Sequence, residues 1–142
     1  MFQAGYFGRA VERYQQALEQ VPDSDEVRFK LGAALVAAGQ YDQAGQLLRD
    51  ALRQRPDWPH VAHDLRTLFA DEAAIRRTLD NLDREARRLN ADSDVPFLHG
   101  YVLYFSGRQD AAEAIFRALP PGQAGEHVQV FLDAIQRRRG EP

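Results

Sequence analysis

The 142-residue sequence contains no cysteine, one methionine and one tryptophan, and Lys30 is its single lysine. The missing thiols exclude disulfide frameworks, zinc fingers, iron–sulfur ligation and cysteine nucleophiles, and leave the redox compartment open. No apolar run approaches the ~20 residues that span a bilayer as a helix, and no signal-peptide pattern opens the chain. A basic surplus is missing too. Eighteen Lys and Arg stand against 21 Asp and Glu, a formal charge of −3, so composition does not call for nucleic acid. Glycine-rich phosphate loops, serine nucleophile elbows and paired-carboxylate motifs do not occur.

What is present is ordinary globular material, 44% apolar and 27% charged. The length suits one domain or one short repeat array. A chain of this size buries roughly 68–70% of its unfolded surface, enough to fold without a metal or a crosslink.

The chain repeats itself. The segment from Gly5, GYFGRAVERYQQALEQVPDS, recurs from Gly39 as GQYDQAGQLLRDALRQRPDW, 34 residues later. Gly5, Ala10, Tyr14, Ala17 and Pro22 thereby align with Gly39, Ala44, Leu48, Ala51 and Pro56. A further 68 residues reach Gly107, Ala112, Phe116 and Leu119, and Leu31-Gly32 maps onto His99-Gly100 at the same offset. The unit between keeps its length but reads Arg66, Ala73, Thr78, Leu82 and Asn90 in those columns.

Each column has a physical reading. Gly32 and the Ala10, Ala44 and Ala112 column are small where two helix backbones approach closely. Gly39 and Gly107 stand where a helix ends and the chain turns, which suits a left-handed conformation. Pro22 and Pro56 follow a helix end, where a missing N–H is harmless. Asp23 with Glu26 has capping-box spacing and predicts a helix start. Asp57 before Pro59, and Ser93 before Asp94, predict two more.

The pattern predicts helices over about 6–20, 25–38, 41–54, 58–69, 72–90, 94–106, 108–118 and 126–138. Ile75, Leu79, Leu82, Ala86 and Leu89 mark one buried face, and on the opposite face Asp80–Arg84 and Asp83–Arg87 form i,i+4 pairs worth roughly 0.2–0.5 kcal/mol each. The first helix lacks a cover on the flank of Phe7, Val11, Tyr14 and Leu18. The chain therefore reads as a module of a larger protein, or as one whose flank a second copy covers. The last helix reads as a cap, with Val128, Phe131, Leu132 and Ile135 inward and Arg137–Arg139 at the negative end of its dipole.

These columns resemble the tetratricopeptide repeat, through Leu31, Gly32, Gly39, Tyr41, Ala44, Leu48, Ala51 and Pro56 in the best unit. The resemblance implies an all-α, right-handed α-α superhelix, a solenoid of about three and a half helical hairpins closed by a C-terminal capping helix. The implied division of one domain over 1–142 is a half repeat 5–24, a repeat 25–58, a degenerate repeat 59–92, a repeat 93–122 and the cap 126–138. The third unit departs from the pattern, lacking both glycines and the proline, and the fourth has His99 where leucine is usual. The stretch Asp64–Asn90 with the fourth unit is also similar to repeat proteins of planctomycete-type bacteria.

The resemblance further implies a non-enzymatic scaffold that holds a partner protein or peptide in a concave groove lined by the first helix of each pair. Carried over by column, the groove shows Phe29 and Lys30, then His63, Asp64 and Thr67, then Phe97, Tyr101, Tyr104 and Phe105. The last four fall at i, i+4, i+7 and i+8, one helix face. Val95, Val102 and Leu103 supply the other face, so the helix is either buried all round or presents a binding patch. Among the family's modes, the clamp on a C-terminal carboxylate is disfavoured, because Lys30 alone has the required type. A self-association module is the alternative function, with a homo-oligomer formed through the open N-terminal flank. A metal site at His60, His63 and Asp64 is a weaker reading, because no further ligand follows from the sequence. The arginines 76, 77, 84, 87 and 88 are interleaved with Asp80, Asp83 and Glu85, which cancels the field nucleic acid would need. No cofactor, nucleic acid or membrane insertion is expected. A soluble chain of the bacterial cytoplasm or envelope fits equally.

Overall fold

The computed structural model describes residues 7–60, 65–69, 72–88, 94–119 and 125–140. Among these the α-helices are α1 Phe7–Gln20, α2 Asp25–Ala37, α3 Tyr41–Gln54, α4 Glu72–Arg88, α5 Val95–Phe105, α6 Gln109–Arg117 and α7 Glu126–Gly140, with no strand. Each lies within two residues of its predicted bounds.

Apolar distribution decides which helices sit inside. α2 buries Phe29 and every residue from Leu31 to Val36, and α5 buries Phe97, Leu98 and every residue from Gly100 to Phe105. A helix apolar on all sides must be enclosed, and these two are. α1 and α3 pack on α2, while α4 and α6 pack on α5. Those four are one-sided. α4, for example, buries Ala74, Ile75, Thr78 and Leu82 and exposes Arg76, Arg77, Asp80 and Arg84. Of its predicted charged pairs, Asp83–Arg87 closes at 3.2 Å, while Arg84 donates to Asn81 at 2.7 Å.

The small-residue columns sit where helices touch. Ala44 and Ala112 are fully enclosed. A Cβ on Gly32 would come within 2.7 Å of Leu48 Cδ2, and one on Gly100 would run into the Phe116 ring. Gly39 and Gly107 have φ of 79° and 88°, the left-handed turns expected of them. The N-cap of α2 is one residue later than expected. Ser24, not Asp23, is the N-cap and accepts from the Val27 N–H at 3.2 Å. Asp25 is released to join Arg28 and Arg55, and Arg55 also binds Asp57 at 3.0 Å, tying the start of α2 to the end of α3.

The largest departure is the first helix of the third pair. Instead of an α-helix over 58–69, the described residues form 3-10 turns at Trp58–His60 and Leu65–Thr67. Pro59 disfavours helical geometry at the residue before it, and Trp58 is drawn fully into the core. α5 packs directly on α3. A Cβ on Gly45 would lie 2.8 Å from Asp94 Cβ, and Arg49 Nη1 donates to Asp94 Oδ1 at 2.7 Å. The expected cap Ser93 lies outside the described residues. Asp94 is the N-cap of α5, and its carboxylate serves Arg49 instead of the backbone.

Two glycines on helices test the packing. Gly100→Ala should lower unfolding free energy by about 1–3 kcal/mol, because the Phe116 ring must move. Gly8→Ala meets nothing within 4 Å and should be neutral or stabilising by up to about 1 kcal/mol. Urea denaturation of both variants checks the contrast.

Candidate functional site

The aromatic face expected to line a groove is core. Phe29, Phe97, Tyr101, Tyr104 and Phe105 are all buried, none more than 4% exposed. The cause is α7, which packs on α6, on α3 and on the Trp58–His60 turn. Its Phe131 inserts among the α5 rings, with centroids 5.7 Å from Tyr101, 5.0 Å from Tyr104 and 5.8 Å from Phe105. On the far side Phe29 meets Phe105 edge-on at 5.5 Å, so the inner faces of α2 and α5 touch. Edge-to-face pairs at such distances each add roughly 0.5–1.5 kcal/mol beyond their burial.

The polar ends of these rings are satisfied internally. Trp58 Nε1–H donates to Tyr101 Oη at 3.0 Å, and Tyr104 O–H donates to the Pro59 carbonyl at 2.7 Å. Arg138 of α7 lies over the Tyr104 ring, 5.5 Å from its centroid. Burial pushes the Tyr101 phenol far above its ordinary range and the Tyr104 phenol upward too. Both hydroxyls remain protonated as the donors and acceptors the core requires.

The other expected groove residues scatter. Lys30 sits at the surface, paired with Glu26 at 3.0 Å. His63 and Asp64 lie outside the described residues, as does the side chain of Thr67; His60 is exposed at the end of its turn. Among the described residues no three His, Asp or Glu come together as a metal site would need.

A concavity at the surface mixes charge with an apolar floor. It lies where α3 and α7 diverge, has a volume of about 270 Å³, and is lined by Arg49, Leu52, Arg53, Pro56, Glu126, His127 and Val130. The helical repeat places Arg49 and Arg53 one turn apart on α3. The His127 ring stands edge-on to Phe97 at 4.7 Å. Its imidazole is held below the ordinary range, first by burial and then by Arg49, with Asp94 opposing. Sequence reasoning missed this cleft. Its one local signal is the i,i+4 arginine pair, and nothing local tells that α7 will face it.

Two measurements follow from this geometry. Tyr101→Phe should lose about 1–3 kcal/mol, because it leaves the Trp58 N–H buried without its acceptor, and Tyr101→Ala about 3–5 kcal/mol by cavity formation; thermal unfolding reads both. For pH, His99 is also depressed by burial, partly offset by Asp83. An unfolded histidine takes up its proton near pH 6.5, whereas these two resist it when folded. Stability should therefore be full above about pH 7 and fall towards pH 5.5. Chemical denaturation of a His99→Gln/His127→Gln variant should show a flatter profile over that window.

Comparison with known proteins bears on the first half of the chain. No curated protein and no solved structure matches it. A family model described as tetratricopeptide repeat matches residues 1–68. That stretch holds α1, α2, α3 and the turn of Trp58, which include the aligned columns from Gly5 and from Gly39. With the glycine turns, the small-residue contacts and the all-helical fold already in place, residues 1–68 are similar in sequence and in helical layout to the tetratricopeptide repeat.

Proposed function

We propose that the chain is a non-enzymatic scaffold that holds a partner protein or peptide. The observation that carries this reading is the tetratricopeptide repeat over residues 1–68, because such repeats generally mediate protein–protein interaction. The mechanism is preorganisation. Helices already locked by their neighbours lose little freedom when a partner docks, so less of the contact energy is spent on ordering. Because the aromatic set is enclosed, the partner meets residues at the surface instead. These are the cleft between α3 and α7 and the outer edge of α2 at Glu26 and Lys30.

Affinity capture on the immobilised full chain tests the reading, with Ala44→Arg as the control. Ala44 has no exposure, and a buried arginine there costs several kcal/mol in overpacking and desolvation. A protein retained by the native chain and lost with Ala44→Arg is the expected outcome. Equal retention by both baits, or none by either, sinks the scaffold.

A second reading, self-association, is favoured by α1. Its apolar side buries Val11 but leaves Ala10, Tyr14, Ala17 and Leu18 only partly covered. A second copy packed on that flank would make sedimentation depend on protein concentration. A monomer throughout ends this alternative.

A further inference from the structure

We infer that the cleft between α3 and α7 binds one carboxylate of a partner peptide, an Asp or Glu side chain flanked by an aliphatic residue. The inference rests on the scaffold reading and names the chemistry of the partner.

The argument begins with hydrogen-bond donors. Each guanidinium carries five N–H donors and no acceptor. Arg49 gives one hydrogen bond, to Asp94 at 2.7 Å, and its side chain is 38% exposed. Arg53 faces Asp50 at 3.4 Å, an open ion pair in which both side chains are at least half exposed. Such a pair is worth little and is easily exchanged. The two guanidinium groups therefore present most of their donors without acceptors among the described residues. Planar forks of this kind pair with a carboxylate through two parallel hydrogen bonds.

The apolar side of the cleft fixes the rest of the ligand. Leu52, Pro56 and Val130 line it beside the arginines, so an aliphatic side chain next to the acid removes further surface from water. A volume of about 270 Å³ lies just under the usual range for small-molecule pockets, roughly 300–1,000 Å³, and suits one or two side chains. Glu126 on the α7 wall limits the charge. Asp94 pairs with Arg49 and Asp50 faces Arg53, Glu126 lines the same cleft, and a second acid on the ligand would meet repulsion. The site lies on the second helix of a hairpin and on α7, with His127 between it and the enclosed Phe97 ring.

Nuclear magnetic resonance on the isotope-labelled full chain tests the inference with two peptides. One is acetyl-Gly-Leu-Glu-Leu-Gly-amide, and the other replaces its Glu with Gln. The Glu peptide should shift the amides of Leu52, Arg53, His127 and Val130 saturably, with the Gln peptide about tenfold weaker, as expected for loss of a charge-assisted pair. Arg53→Glu should lose about tenfold in affinity for the Glu peptide with an otherwise native spectrum, since that side chain is 73% exposed. Glu126→Gln should bind at least about twofold more tightly by removing a repulsion. Equal shifts from both peptides, shifts confined to other surfaces, or no shift up to about 5 mM overturn the assignment. If capture nonetheless yields a partner, the scaffold stands and only the carboxylate site falls; if capture fails as well, both fall.

Discussion

A helix that is apolar on every side cannot stop at the surface, and this chain has two. α2 and α5 require neighbours on each flank, and the rest of the fold is arranged to supply them. α1 and α3 enclose the first, α4 and α6 the second, and their inner faces close on each other through Phe29 and Phe105. α7 completes the enclosure by driving Phe131 into the α5 rings. The four outer helices can then be strongly one-sided, with charged outer faces, because none is asked to fill the interior.

That constraint explains why the aromatic face of α5 is enclosed. A regular solenoid keeps the first helices of its hairpins side by side along an open concave surface. In this chain the described residues of one of those first helices form short 3-10 turns, with Trp58 bonded to Tyr101 and Pro59 to Tyr104. α5 then reaches α3 directly, through the Arg49–Asp94 pair over Gly45. The α3–α7 cleft sets two arginines beside an apolar floor.

Much of this was legible from residue types alone. The 34-residue period, the left-handed glycines at 39 and 107, and the small columns at Gly32, Ala44, Gly100 and Ala112 specify the hairpins, because each depends on local backbone geometry or on a repeated contact. The aromatic stripe was legible as a stripe but not as core. Phe97, Tyr101, Tyr104 and Phe105 share a face whether that face meets solvent or Phe131, and the deciding partner lies more than twenty residues along the chain. The cleft was invisible for the same reason, since Arg49 and His127 meet only through the tertiary fold. In the third unit the described residues of the first helix form 3-10 turns; that unit already departs from the pattern by lacking both glycines and the proline, while Asp57 before Pro59 reads as a helix start.

The burial of Trp58 carries a practical corollary. It is the sole indole in the chain, it has no exposure, and its N–H is held by the Tyr101 hydroxyl between the two central helices. Its intrinsic fluorescence is therefore a native spectroscopic gauge placed at the junction of both hairpin stacks. Emission colour and quencher access report whether the halves of the molecule are joined, without any attached dye.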